Sequence, residues 1–103
     1  MFVMPRPKKH RSVEFMPGVT YFKPRAVPLS ELDEVRLGFE ELEALRLEFL
    51  EKNDYSESAK KMNISRATFS RTLHSAGEKI ADALTNGKAI RIEGGAYSLK
   101  KRR

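Results

Sequence analysis

The chain has 103 residues, of which 40% are hydrophobic and 33% charged, so it fits one small domain with a modest core. The absence of cysteine excludes a disulfide framework and a thiolate metal site. No apolar run approaches the ~20 residues that span a bilayer, and the start lacks a signal-peptide pattern. We therefore expect a cytoplasmic protein that does not bind membranes.

The net charge of +6 is unevenly distributed along the chain. Residues 1–30 hold six Lys or Arg and one Glu, whereas residues 31–57 hold three Lys or Arg and ten Asp or Glu. Residues 58–103 hold eleven Lys or Arg and three Asp or Glu. Clustered cations suit a polyanionic partner, because each neutralised phosphate releases condensed counterions. Tails that serve only solubility are the alternative interpretation of the basic ends.

Residues 1–28 contain all five prolines, so a long helix is excluded and an irregular basic arm is predicted. Short extended pieces are expected around Pro17-Gly18, with Phe15, Tyr21 and Phe22 packing on the helical core. Such an arm can enter a minor groove or follow phosphates, and a disordered tail without a partner is the alternative. The predicted contacts in the arm are Arg6, Lys8, Lys9 and Arg11.

Residues 29–95 are predicted to form the folded domain, and residues 96–103 a basic tail. One helical turn is expected at 29–33. A short strand at 35–37 follows, which can pair with 90–92 as a small two-stranded ribbon. An acidic helix is predicted at 39–52, with Gly38 as its N-cap and Glu41 facing back toward that cap. Its expected apolar stripe is Leu42, Leu45, Leu47 or Phe49, and Leu50.

The carboxylates of this helix cannot lie against DNA without repulsion, so we expect them to face away from it. Exposure to solvent is the first interpretation. A partner protein, such as an RNA polymerase subunit, is the second. The residues concerned are Glu40, Glu41, Glu43, Glu48 and Glu51.

The stretch from 55 to 73 predicts two helices joined by a tight turn. Ser56 is the predicted cap of the first helix, which covers 57–62, and small Ala59 falls where the two helices cross. Asn63 stands at the turn, where a left-handed backbone is expected. Ser65 is predicted to cap a second helix that extends to residue 85 or 86 and is closed by Gly87. This pattern is typical of a helix-turn-helix, and the predicted class is mainly α with three to four helices.

The second helix has an apolar and a polar face. Its predicted buried stripe is Phe69, Leu73, Ala76, Ile80 and Ala83 or Leu84. The opposite face would meet the DNA major groove, where Arg71 matches guanine and Arg66 meets a phosphate. Exposed arginines that only keep a helix soluble are the alternative. The predicted DNA contacts are Arg66, Ala67, Thr68, Ser70, Arg71 and His74, with Lys60 and Lys61 on the first helix.

The sequence carries no pattern typical of catalysis. Its two histidines, His10 and His74, lack metal-ligand spacing, and Gly94-Gly95 does not form a phosphate loop. We expect no enzyme activity, no cofactor and no metal. Two other functions stay open: an RNA-binding protein that stacks bases on Tyr21, Phe22 and Tyr97, and an adaptor that holds a protein through the two helices.

Several motifs in order resemble a small prokaryotic family of uncharacterised, predicted DNA-binding proteins. They are residues 4–9 (MPRPKK), 19–24 (VTYFKP), 27–29 (VPL), 41–47 (ELEALRL), 65–69 (SRATF) and 91–95 (RIEGG). The family's helix-turn-helix is similar to region four of sigma factors. The resemblance implies a regulatory protein at the nucleoid whose recognition helix follows Ser65. Such proteins often dimerise on paired half-sites, but no dimer seam is visible, so a homodimer remains open.

Overall fold

The computed structural model describes residues 10–100. Within this range the chain forms three α-helices, five short β-strands, one 3-10 turn and one π-helical turn. The strands are β1 (Arg11–Val13), β2 (Tyr21–Phe22), β3 (Glu34–Leu37), β4 (Ala89–Ile92) and β5 (Tyr97–Leu99). The helices are α1 (Phe39–Leu45), α2 (Tyr55–Lys61) and α3 (Arg66–Asn86), with the 3-10 turn at Leu29–Glu31 and the π-helical turn at Arg46–Leu50. None of the helices in the described range is both long and apolar enough to cross a membrane.

The central sheet has three strands in the order β2-β4-β3. Strand β4 pairs in parallel with β3, which places Val35 opposite Ile90 and Leu37 opposite Ile92, as the predicted ribbon requires. The third strand, β2, adds to the other side of β4 in the antiparallel direction. The ribbon therefore supplies two of the three strands of a larger sheet, whose apolar side packs on α1 and α3.

Two strands come from residues 1–28, where an irregular arm with short extended pieces was predicted. Besides β2, residues 11–13 form β1, which pairs in parallel with β5 near the other end of the chain. Val13 is fully buried and anchors this segment. The expected packing of the aromatic rings is wrong for Phe15 and Phe22, which are 45% and 53% exposed. The smaller Val13 fills the core because it alternates inward on β1.

Helix α1 begins as predicted. Gly38 is its N-cap, and the Gly38 amide donates to Glu41 Oε1 over 2.8 Å. After Leu45 the backbone widens into the π-helical turn, in which the Glu51 amide bonds to the Arg46 carbonyl. This turn rotates the residues that follow it, because each π turn holds more residues than an α turn. Leu47 stays buried, whereas Leu50 is 77% exposed and its predicted place in the stripe is wrong.

The first helix of the pair, α2, begins two residues earlier than predicted. The Asp54 side chain accepts the Glu57 amide, so Asp54 and not Ser56 is the N-cap. Asp54 has the charged acceptor of the two, which suits the positive end of a helix. The turn that follows has Asn63 in the left-handed region, with φ of 56°, as predicted.

The long helix α3 begins and ends where the sequence indicates. Ser65 accepts the Thr68 amide at its start, and Gly87 closes it in the left-handed conformation with φ of 64°. Of the two candidates for the last position of its buried stripe, Ala83 is buried and Leu84 is 76% exposed.

The core consists of two neighbouring clusters of apolar side chains that share α3. The first lies between the π-helical turn, α2 and the N-terminal half of α3, and contains Ala44, Leu47, Ala59, Met62, Phe69 and Leu73. The second lies between α3 and the central sheet, and contains Leu37, Ala76 and Ile92. Helix α3 is thus held on two sides, which fixes the direction of its remaining exposed face.

Candidate nucleic-acid interface

The N-terminal half of α3 presents a polar face over a buried apolar one. Phe69 is fully buried and Leu73 is 9% exposed. The Phe69 ring also meets the Tyr55 ring edge to face, with 5.3 Å between centroids. On the outer face, the exposed residues of the predicted set are Arg66, Ala67, Ser70, Arg71 and His74, while Thr68 is half-buried. The structure therefore brings the six predicted residues of α3 to one accessible region.

Hydrogen bonds at the start of α3 hold part of this face in place. The Ser65 hydroxyl accepts the Thr68 amide over 3.1 Å and donates to the Thr68 hydroxyl over 2.9 Å. Arg71 Nη2 in turn donates to Thr68 Oγ1 over 3.2 Å. The Arg71 guanidinium thus lies over the first turn of the helix, and Arg71 borders a cavity of about 430 Å³ that Arg11, Glu40 and Glu41 also line.

The predicted face also includes an acidic group. His74 Nε2 lies 2.8 Å from Glu78 Oε1, and both side chains are largely exposed. A carboxylate at this position repels phosphate, so it limits a polyanion to the N-terminal turns of α3. His74 is therefore at the edge of the candidate interface.

The two lysines of α2 differ in exposure. Lys60 is exposed and Lys61 is half-buried, and both lie in the last turn of α2. Cations are stabilised there by the negative end of the helix dipole. Lys60 is therefore the more accessible of the two to a phosphate.

Arg11 lies beside the start of α3 although it is 55 positions away in sequence from Arg66. The Ser12 amide donates to the Met62 carbonyl over 2.8 Å, which fixes β1 across the turn between α2 and α3. Arg11 borders a cavity of about 340 Å³ together with Ile64, Ser65 and Thr68. The other predicted contacts of the arm, Arg6, Lys8 and Lys9, lie outside the described residues.

Three of the five carboxylates of the acidic helix are buried, contrary to the first expectation, whereas Glu48 is half-buried and Glu51 is exposed. Glu40, Glu41 and Glu43 are 9%, 8% and 2% exposed. Glu43 accepts the Glu14 amide over 2.7 Å and pairs with Arg46, whose Nε lies 2.9 Å away. Sequence patterning missed this burial because the partners of these carboxylates come from distant parts of the chain.

Glu41 joins α1 to α3. It accepts hydrogen bonds from Ser75 over 2.6 Å, from Lys79 over 2.7 Å and from the Gly38 amide. Burial by itself would raise the pKa of Glu41, but the bonds from Lys79, Ser75 and Gly38 outweigh it and lower the pKa. The carboxylate therefore stays ionised and positions the helix that carries the exposed cations.

Glu40 holds the loop before β5 in the same way. Its Oε2 accepts the Ala96 amide over 2.9 Å. A Cβ atom at Gly38 or at Gly95 would collide with this carboxylate, so both positions need glycine in the present arrangement. Gly95 also has φ of 98°, which side chains rarely tolerate.

The aromatic rings that were considered for base stacking are mostly engaged within the chain. The Tyr21 hydroxyl donates to Glu34, and the Arg91 guanidinium covers the Tyr21 ring at 4.8 Å from its centroid. The bond to Glu34 raises the pKa of Tyr21, while Arg91 lowers the pKa of Glu34. Tyr97 packs against Phe39 with 5.0 Å between ring centroids.

Among residues 10–100, no three His, Asp or Glu side chains are grouped so that they could hold a metal ion.

Comparisons with known proteins identify relatives along nearly the whole chain. A family model described as "Protein of unknown function DUF134" matches residues 1–100. A "UPF0251 protein" of Moorella thermoacetica is 62% identical over 96 residues, and the match covers 93% of this chain and 64% of that protein. The chain thus spans less than two thirds of the length of this relative.

Two further relatives are covered more completely. "UPF0251 protein Teth39_0655" of Thermoanaerobacter pseudethanolicus is 58% identical, with 91% of this chain and 80% of that protein covered. "UPF0251 protein DET0218" of Dehalococcoides mccartyi is 54% identical, with 96% and 85% covered. No solved structure matches the chain significantly. The chain belongs to the prokaryotic family described as DUF134, whose members carry the name UPF0251.

Proposed function

We propose that this protein is a sequence-specific DNA-binding regulator of transcription. In this proposal α2 and α3 act as a helix-turn-helix, and α3 reads the major groove. The observation that carries the proposal is the division of α3: Phe69 and Leu73 are buried beneath it, while Arg71 is exposed on its outer side. The left-handed backbone at Asn63 and the buried Ala59 supply the tight turn and close helix contact that such a unit needs.

The exposed side chains of α3 suit distinct parts of a duplex. Arg71 has the planar fork that matches guanine O6 and N7, and its bond to Thr68 limits its rotation before binding. Ala67 is small enough to contact a thymine methyl, and Ser70 offers one hydrogen bond. Arg66 suits a phosphate, because it stands at the first helical position beside the groove edge.

Other cations extend this face beyond α3. Lys60 lies in the last turn of α2, and Arg11 borders the cavity that Ile64 and Ser65 line, so both are near the turn that precedes α3. We assign both to phosphates that flank the bound groove. The arm residues Arg6, Lys8 and Lys9 precede Arg11 in sequence, so we assign them to phosphates or a minor groove as well.

The placement of the carboxylates supports the same partner. Glu40, Glu41 and Glu43 are each buried and bonded to donors within the chain, so those donors offset much of their repulsion of a polyanion. Glu40 and Glu41 nevertheless line the same cavity as Arg71, which confines a phosphate to the outer side of that arginine. A contact between the predicted acidic helix, residues 39–52, and a protein such as a polymerase subunit would have to use Glu48 and Glu51, of which Glu51 already pairs with Arg46. We therefore favour duplex DNA as the primary partner of the charged surface.

Single-stranded RNA has less support. Tyr21 and Tyr97 are engaged by Arg91 and Phe39, which leaves Phe22 as the exposed ring among the three considered. Binding of single strands generally uses several free rings on which successive bases stack.

The test is selection of bound sequences from a random DNA duplex pool, followed by binding measurements on the selected site. Arg71→Ala should weaken specific binding by ~1–3 kcal/mol and relax the preference at one base pair. Arg36→Ala is the matched control, since Arg36 is equally cationic and exposed on β3 but lies on the opposite side of the strand from Leu37, which packs on α3. A pool without enrichment, equal losses in both variants, or stronger binding to single-stranded RNA than to the selected duplex would reject the proposal.

A further inference from the structure

The cavity beside Arg71 contains as many carboxylates as cations. It has a volume of about 430 Å³, and its charged lining residues are Arg11, Arg71, Glu40 and Glu41. This balance contrasts with the net charge of +6 of the whole chain. It occurs at the place where the proposed function puts the arginine that reads a base, so the contribution of each carboxylate to the local charge matters.

The two carboxylates differ in how they are neutralised. One Glu41 oxygen lies 2.7 Å from the Lys79 ammonium, so a neighbouring cation balances its charge. Glu40 instead accepts two backbone amides, from Ala96 over 2.9 Å and from Glu41 over 3.3 Å. An amide carries no net charge, and within residues 10–100 Glu40 forms no ion pair. Glu40 therefore supplies a negative charge that no cation of the described chain pairs with.

Arg71 is held by a neutral group. Its Nη2 donates to the Thr68 hydroxyl over 3.2 Å, and it forms no ion pair within residues 10–100. Arg46 and Arg91, by contrast, each bind a carboxylate, at 2.9 Å and 2.8 Å. The hydroxyl fixes the Arg71 guanidinium without neutralising it. Its charge is therefore available to a ligand, while Glu40 acts on that ligand from across the cavity.

A phosphate and a base edge respond differently to such a carboxylate. A phosphate carries a full negative charge, so Glu40 repels it and offsets part of its attraction to Arg71. Guanine O6 and N7 are neutral acceptors, so they keep the hydrogen bonds from a guanidinium and are repelled much less. Because Glu40 is only 9% exposed, salt screens its charge less than it screens a carboxylate at the surface.

We infer that Glu40 is a specificity-determining residue, which weakens the binding of Arg71 to phosphates and keeps that arginine available for a guanine. This role rests on the proposed function. A regulator finds its site by the ratio of specific to non-specific affinity, and phosphate contacts supply essentially all of the non-specific part. Repulsion of phosphate at the reading position raises that ratio without any added contact to the site. Arg66, which does not line this cavity, keeps its assignment to a phosphate.

Fluorescence anisotropy with two duplexes of equal length, the selected site and a scrambled sequence, tests the role of Glu40. Glu40→Gln keeps the size and one acceptor of the side chain but removes its charge. It should bind the scrambled duplex roughly threefold to tenfold more tightly, the scale of one partly screened charge repulsion. Its gain on the selected site should be smaller, because Arg71 meets a neutral base there. The ratio of the two affinities should therefore fall.

Glu31→Gln is the matched control for the change in net charge. Glu31 is exposed in the 3-10 turn and does not line the cavity, so its loss should change both affinities equally, by less than ~twofold. Far-UV circular dichroism verifies that each variant is folded. A Glu40→Gln variant with the ratio of the parent, or with a ratio that falls only because the selected site is bound more weakly, would overturn the inference.

The salt dependence of binding gives a second measurement, which does not need a Glu40 variant. If phosphates are repelled from Arg71, Arg71→Ala should leave the slope of log affinity against log salt unchanged on the scrambled duplex. Arg66→Ala should reduce the magnitude of that slope by about 0.9, the value for one lost phosphate contact. Equal reductions by the two substitutions would overturn the inference.

The behaviour of the parent chain separates the role of Glu40 from the proposed function. A parent that binds neither duplex would reject the proposed function, and the role of Glu40 with it. A parent that prefers the selected duplex, while Glu40→Gln keeps the same preference, would retain the proposed function and reject only the role of Glu40.

Discussion

The link between Glu41 and α3 can be tested by removing the carboxylate in two ways. Glu41→Ala deletes acceptors for Ser75, Lys79 and the Gly38 amide, whereas Glu41→Gln keeps an acceptor and the shape but removes the charge. Lys79 is 38% exposed in its side chain, so its share of the stabilisation is discounted for screening by solvent. Loss of the hydrogen bonds from Ser75 and from the Gly38 amide should make Glu41→Ala ~3–4 kcal/mol less stable than the parent. Glu41→Gln should lower the free energy of unfolding by ~1–2 kcal/mol.

The pH dependence adds a second criterion for Glu41. Its pKa is lower in the folded chain than in the unfolded chain, so the unfolded chain takes up the proton first as the pH falls. The stabilisation is complete above the unfolded pKa and is lost as the pH falls through the folded pKa. The difference between the parent and Glu41→Gln should therefore shrink in acid. Urea unfolding followed by circular dichroism measures both quantities.

The reasoning on Glu41 has two refuting outcomes. One is a Glu41→Ala variant whose free energy of unfolding lies within ~0.5 kcal/mol of the parent value, as for an ordinary surface change. The other is a difference between parent and Glu41→Gln that stays constant from neutral to acid pH.

Two further predictions concern local backbone structure. Asp54→Ala should destabilise the chain by ~0.5–2 kcal/mol because it removes the cap of α2. Ser56→Ala, the control, should change the free energy of unfolding by less than ~0.5 kcal/mol. Equal effects of the two substitutions in thermal unfolding would contradict the assignment of Asp54 as the cap. Gly95→Ala should cost ~1–3 kcal/mol, because its backbone has positive φ and the new Cβ meets Glu40. Gly18→Ala, where a Cβ meets nothing within 4 Å, is the control in the same unfolding assay, and similar losses in both would show that the contact with Glu40 is unimportant.

The sequence predicts those parts of the fold that short local patterns encode. Ser65 and Gly87 mark the two ends of α3, and Asn63 marks the turn, because each acts through its own backbone and the nearest amides. The same locality made the start of α2 ambiguous. Asp54 and Ser56 are both capable caps, and only the hydrogen bond to Glu57 distinguishes them.

The errors arise where distant segments decide the outcome. Glu43 looks like a solvated residue in a helix pattern, but the amide that it binds lies 29 positions earlier in the chain. Glu40 binds an amide 56 positions later. Leu50 was misplaced for a different reason, because the π-helical turn shifts the helical periodicity on which its assignment depended.

Most of the candidate interface was accessible to sequence reasoning. The burial of Phe69 and Leu73 follows from helical periodicity, and so does the exposure of Arg71. The position of Arg11 beside α3 depends on the contact between β1 and the carbonyl of Met62, which no local pattern contains. Phe49, the alternative to Leu47 in the predicted stripe, is 62% exposed, and only the structure decides between the two.

The pairing of the strands has a consequence for how this chain folds during synthesis. Each strand pair in the described residues joins a segment before α1 to a segment after α3. Neither sheet can form until the ribosome has released residues 89–99. Until then, the side of the helices that the central sheet covers stays exposed to water. Contacts between such distant segments slow folding, since the intervening loop must be ordered first. A nascent chain halted after Asn86 would therefore expose the helix surface that the central sheet later covers.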